Sequence, residues 1–265
     1  MSAEAVRVSE RRRPARRLFV HQLRAEQLVF WRSREAAFFI FLFPLLLLVL
    51  LGSLYSGHDR FQHVPVRWAV LAGLIGYGCA NTSFAGLAIQ LVLRRESGVL
   101  KRLRSTPLPA ATYIVALLTS TLIVFALQAI ALFVLGRVLF GTPFPSDVGS
   151  LVATLLIGSA AFAALGTATA SAIRSAEGSS AVVNFVLLPM AFLSGGFGPT
   201  NGYPAVLRAI GDVLPLTYFV KLMNAVYLHG HGFWTQPGAL AVLAAWGVAG
   251  LVFTAFKFRW EPREG

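Results

Sequence analysis

Long apolar runs separated by short polar connections dominate this chain. Six stretches approach or exceed the roughly 20 apolar residues that a helix needs to cross about 30 Å of hydrocarbon. They are Ala36–Tyr55, Trp68–Leu93, Ala110–Gly136, Val148–Ile173, Ser179–Phe197 and Pro237–Phe256. Pro44 and Pro189 fall inside two of them and predict kinks whose freed carbonyls neighbouring helices re-satisfy. The pattern predicts an all-α, polytopic membrane protein.

Two of the six stretches differ in texture. The fourth carries small residues at every fourth position, along Ser159, Ala163, Thr167 and Ser171 and along Ala160, Ala164, Ala168 and Ala172. Small rows let helix backbones approach, so this helix is expected to pack among others and not to face lipid. The second has Ala72, Gly76 and Ala80, then Asn81, Thr82, Ser83 and Gln90. Amides in hydrocarbon need partners, so this helix is expected to face the bundle interior or a cavity. Trp246, in the middle of the last stretch, is expected only to pack.

Outside the spans the pattern weakens but does not vanish. Between Arg16 and Arg34, Phe19, Leu23, Phe30 and Trp31 alternate with basic residues, as in an interfacial helix. Residues 1–35 are therefore read as a cytoplasmic basic tail and interfacial helix, and residues 36–265 as a six-span domain. A secretory leader is disfavoured because roughly 35 residues precede an apolar run longer than a usual leader core. In the outer segment, residues 198–236, "YPAVLRAIGDVLP" and "LTYFVKLMNAVYLHG" each have helical apolar spacing and few charges. They predict two short helices lying on the outer membrane surface or dipping into it.

Composition agrees with a partly lipid solvent: 56% of the 265 residues are hydrophobic and 13% charged. The net charge of +12 is no nucleic-acid footprint, since that needs a basic face on a soluble fold. Its distribution instead gives orientation, because Lys and Arg stay on the cytoplasmic side. Of the 23 basic residues, eighteen fall in the amino-terminal arm, the second-to-third and fourth-to-fifth connections and the carboxyl end. Only Arg60, Arg67, Arg137, Arg208 and Lys221 fall opposite. Both termini are thus expected in the cytoplasm. Trp31, Tyr113 and Trp260 mark the inner interface, and Tyr55, Trp68 and Trp234 the outer.

The chemistry is sparse. The Gly-rich "SGGFGPTNG" lacks the lysine of a phosphate-binding loop, so no nucleotide hydrolysis, no bound cofactor and no catalytic residue are expected in this chain. Glu96, Asp147, Glu177 and Asp212 sit in connections, leaving no carboxylate in a span for proton or sodium coupling, which argues against an ATP-independent secondary carrier or channel. No polar cluster points to a membrane enzyme. His58, His63, His229 and His231 read as solvated loop residues and no metal site is assigned. The single Cys79 lies in an apolar run and reads as a small packing residue.

One connection stands out, "RRESGVLKRLRSTPLP" from Arg94 to Pro109. Charge retention does not require Val99, Leu100 and Leu103, which share one helical face while Lys101 and Arg104 lie on the other. The pattern suits a short cytoplasmic helix that buries its apolar face in a partner, with Ser97 capping its start and Pro107 and Pro109 ending it.

This stretch, "NFVLLPMAFLSGGFGP" from Asn184 and "LPLTYFVKLMNAV" from Leu214 together resemble the type-2 permease family of ATP-binding-cassette transporters, the membrane subunits of bacterial drug, polysaccharide and lipid exporters. The resemblance runs from about Arg16 onward. It implies that residues 94–107 are a coupling helix seated in a groove of a separate ATPase, with Arg94, Arg95, Glu96, Val99, Leu100, Lys101, Leu103 and Arg104 as contacts. It further implies a re-entrant helical hairpin in residues 198–236, assembly of two permease chains, identical or related, with two ATPase chains that bind ATP and Mg, and a place in the bacterial cytoplasmic membrane. On this reading Asn81, Thr82, Phe84, Asn184, Phe185, Phe192 and Ser194 line a path for an amphipathic or apolar substrate, with membrane lipid as the surrounding partner and no role for nucleic acid.

Overall fold

The computed structural model describes residues 15–55, 58–61, 63–106 and 108–257. The basic tail before Ala15, Pro107, the Arg104 side chain, and the residues from 258 onward, including Trp260, lie outside the described residues.

The chain is mostly helical. Helix α1 (Ala15–Arg32) breaks at Ser33 and leads into α2 (Arg34–Leu54). A two-residue hairpin, β1 (Arg60–Phe61) and β2 (Val64–Pro65), is a small departure from the all-helical expectation. It feeds a continuous helix Val66–Glu96, made of α3 (Val66–Cys79), a π-helical segment Ala80–Gly86 and α4 (Leu87–Glu96). After α5 (Val99–Arg104) come α6 (Ala110–Phe140), α7 (Val148–Ala172) and α8 (Ser179–Leu193). Residues 198–236 contain α9 (Ala205–Gly211), α10 (Pro215–Met223) and a π-helical turn Asn224–Leu228, and α11 (Pro237–Lys257) completes the described chain.

Five of these helices are long and apolar enough to cross a membrane. The fifth expected span differs: α8 has 15 residues, about 22 Å at 1.5 Å per residue, because the Ser194–Gly195–Gly196 turn ends it before Phe197. The helix through Val66–Glu96 is the central one. In its most apolar window 89% of residues are buried, against 17% for α2. Two of its polar residues bond to neighbouring helices, Thr82 donating to Gln128 (3.1 Å) and Ser83 pairing with Ser159 (2.9 Å), while the amides Asn81 and Gln90 line a cavity.

The small rows of α7 are borne out in part: Ser159, Ala163, Ala164 and Ser171 are buried but Ala160 and Ala172 are exposed, and a further small residue, Gly166, makes a close approach of its own. A Cβ on Gly166 would come within 2.7 Å of the Phe84 carbonyl, and one on Gly250 of α11 within 2.9 Å of the Ala164 backbone. Thr167 and Thr254 share a hydrogen bond of 3.1 Å across the α7–α11 seam. Close backbone approach is what small residues permit and larger ones forbid.

The two short helices of residues 198–236 form where the spacing placed them, but differently from each other. α9 is largely exposed, whereas α10 is buried against α3, α7 and α11, with Leu216, Phe219, Leu222 and Met223 fully enclosed. Trp246 does more than pack: its indole N–H donates to the Val213 carbonyl (3.1 Å) in the turn between α9 and α10. The bond ties the half-buried indole of α11 to the turn that follows α9.

Candidate functional site

At one end of the bundle, helices α1, α4, α6 and α7 are knitted together by the residues that open the basic connection. Arg94 holds Glu26 of α1 in a two-pronged pair, Nη1–Oε1 2.8 Å and Nη2–Oε2 2.5 Å, and also donates to the Tyr113 hydroxyl of α6 (2.7 Å). Arg95 is buried and donates to the Ala170 (2.9 Å) and Ile173 (2.5 Å) carbonyls, filling the unpaired acceptors at the end of α7 with a cation suited to that helix pole. Glu96 accepts from the Ala176 backbone N–H. All three side chains that open the expected coupling segment thus have partners within the chain.

The short helix that follows also departs from its expected form. Leu100 is fully buried in the chain's own core and Leu103 packs against that core, so the apolar face expected to seat in a partner is largely taken up internally. Ser97 is no N-cap: its hydroxyl donates back to the Leu93 carbonyl (2.8 Å), closing α4. Gly98 precedes α5 with φ +70°, a left-handed turn that glycine adopts without strain. What α5 leaves outward is Val99, Lys101 and Arg102.

Above this knot lies a cleft of about 660 Å³. Its walls come from α1, α2, the π-helical segment, α4, α6 and α8. Phe30, Ile40, Phe43 and Leu188 supply apolar surface; Glu26, Asn81, Thr82, Gln90, Ser120 and Asn184 supply polar groups. Of the seven expected path residues it brings together Asn81, Thr82 and Asn184. The other four are elsewhere. Phe84 is buried with its carbonyl against α7, Phe185 is 82% exposed, Phe192 packs its ring on Phe197 (4.6 Å), and Ser194 accepts a hydrogen bond from Thr217 of α10 (3.0 Å). A step of one residue turns a helix by about 100°, so Asn184 and Phe185 cannot share a wall.

Two residues went unread in the sequence, Glu26 in the cleft wall and Gln128 directly behind it. Glu26 looked like one charge among many in a basic amphipathic helix, and nothing local pairs it with Arg94. Gln128 carried a usable signal, a lone amide in the 31-residue apolar helix α6. Ser120, which accepts from Gln27 of α1 (2.9 Å), ties the same helix to the interfacial one.

Comparison with known proteins agrees with this architecture. The family described as ABC-2 type transporter matches residues 17–228. The inner membrane transport permease YhhJ of Escherichia coli (strain K12) is 27% identical over 170 residues, 64% of this chain and 46% of that protein. The putative transport permease YvfS of Bacillus subtilis (strain 168) is 26% identical over 152 residues, 56% of this chain and 61% of its own. The probable multidrug ABC transporter permease YbhR of Escherichia coli (strain K12) is 22% identical over 186 residues, 69% and 50% respectively. The chain spans about half the length of these curated relatives. With the match covering most of a bundle whose central helix, cleft and basic end have been described, the chain belongs to the ABC-2 type transporter family.

Proposed function

We propose that this chain is the permease subunit of an ABC exporter in a bacterial cytoplasmic membrane. It moves an amphipathic or apolar substrate, a drug, lipid or glycan-lipid, by alternating access. Two copies of a cytoplasmic ATPase supply the drive, with ATP and Mg bound there, and a second permease chain, identical or related, completes the assembly. The observation that carries this reading is the cleft: apolar walls, a few amides, and an inner end joined through Glu26–Arg94 to the segment before α5. Such a site suits a ligand with a large apolar body and few polar groups. A carrier driven by protons or sodium would need a free carboxylate there, whereas Glu26 is neutralised by Arg94.

In this reading α8 and the turn after it complete a sixth span, and residues 198–236 form a re-entrant hairpin, supported by the burial of α10. Both termini are cytoplasmic. The basic-residue count supports this orientation, and the Arg94 and Arg95 bonds, which gather the ends of α4 and α7, agree with these ends sharing one pole. The start of α3 meets the end of α6 at the opposite pole, through Trp68 and the Phe140 carbonyl (3.4 Å).

The test is reconstitution with the co-expressed ATPase. Asn81→Ala and Asn184→Ala are expected to change the apparent affinity for transported substrate without loss of assembly, and unchanged affinity in both removes the cleft from the path. An impermeant thiol reagent is expected to label His231→Cys but not Ser105→Cys in intact cells; the reverse overturns the orientation.

A further inference from the structure

Pro44 sits inside α2 and lacks the N–H that would otherwise bond the carbonyl of Ile40, four residues earlier. That carbonyl is not left bare. The side-chain amide of Gln128, fully buried in α6, donates to it at 2.7 Å. Its other end, Oε1, accepts from the Thr82 hydroxyl in the π-helical segment at 3.1 Å. Space for the amide exists because residue 78 is glycine: a Cβ there would stand 2.9 Å from Oε1 and 3.2 Å from Nε2. One side chain thus joins a proline break in α2 to an irregular turn in the central helix. Ile40 and Thr82, the two groups it joins, both line the cleft, and so does Asn81 beside Thr82.

We infer that Gln128 is a positioning residue that sets the geometry of the cleft by clamping α2 to the π-helical segment. Both anchor points are places where the regular helix ladder is interrupted, and such interruptions are where helices bend. Without the amide, the Ile40 carbonyl loses its donor and the two walls are free to move against each other. The inference rests on the cleft being the substrate path for its importance to transport, but not for its geometry.

The test uses the full-length protein and no substrate. Gln128→Leu is expected to lower the melting temperature in detergent by roughly 3 °C or more, through an unsatisfied buried carbonyl. Pro44→Ala restores a backbone donor to Ile40, so the double variant Pro44→Ala/Gln128→Leu is expected to recover most of that loss. Cleft geometry is read separately, by the rate at which N-ethylmaleimide modifies the thiol of Asn81→Cys in a Cys79→Ala background. That rate is expected to change several-fold in Gln128→Leu, to remain changed in the stabilised double variant, and to shift in the same direction in Thr82→Val, which removes one arm only. Additive effects of Pro44→Ala and Gln128→Leu on melting overturn the carbonyl bond. A labelling rate that returns to the starting value in the double variant, or never changes, overturns the positioning role. The transport assays on Asn81→Ala and Asn184→Ala decide the substrate path independently of both results.

Discussion

Glu26→Ala is the sharpest perturbation of the end of the bundle where α1 and α4 meet. The pair it breaks is enclosed, with the Glu26 side chain 3% and the Arg94 side chain 13% exposed, and its two parallel bonds match a guanidinium to a carboxylate. Deleting one partner of a buried pair costs about 3–5 kcal/mol, mostly because the other charge remains without its counterpart. Arg94 keeps its bond to the Tyr113 hydroxyl and some contact with solvent, which places the expected cost near the lower end, about 3 kcal/mol. For a chain of this size that is roughly 6–12 °C in melting temperature. Replacing both partners by apolar residues, Glu26→Leu/Arg94→Met, removes the stranded charge and is expected to lose no more than about 1 kcal/mol. The assay is thermal denaturation of the detergent-solubilised protein, followed by recovery of the monodisperse size-exclusion peak, on wild type, the two single variants and the double. A coupling energy under about 0.5 kcal/mol refutes the argument, since contacting residues that interact strongly cannot be additive. If the double variant is stable but no longer couples ATP hydrolysis to transport, the link from α1 to the segment before α5 matters beyond folding.

Burial and capping set the outcome of four further perturbations. Leu100→Asp is expected to destabilise the permease itself, because Leu100 is fully buried in its own chain. Lys101→Glu/Arg102→Glu, at exposed positions, is expected to leave melting unchanged while weakening co-purification of the ATPase; equal recovery of the ATPase would count against α5 as its contact. Gly166→Val is expected to cost about 1–3 kcal/mol by pushing a side chain into the Phe84 and Ser83 carbonyls, measured by the same melts. Asp147 caps α7, and the Ser150 hydroxyl and N–H hold its carboxyl below the usual carboxylate range. A lowered native pKa means that the cap stabilises above the unfolded value, near 3.9, and is lost as pH falls through the native one. Wild type is therefore expected to lose melting temperature more steeply than Asp147→Ala below about pH 4, and parallel curves would contradict the cap.

Hydrophobic pattern alone determined the helical class, the approximate place of five long helices and of the two short ones within residues 198–236, and part of the close packing of α7. These are legible because they depend on local spacing: an apolar run long enough to span lipid, or small residues every fourth position, needs no knowledge of neighbours. The position of Pro44 even announced an unsatisfied carbonyl. Tertiary structure decided which group answers it. Gln128 lies 88 residues from Ile40 and Glu26 lies 68 from Arg94, so no periodicity links them. The same holds for Leu100. Its amphipathic spacing says that one face of α5 must be buried, but the partner that buries it, the chain's own core, is visible only once α4 and α5 are folded against the bundle. Local sequence states what each segment must satisfy in lipid; only packing in three dimensions selects the distant side chains that satisfy it.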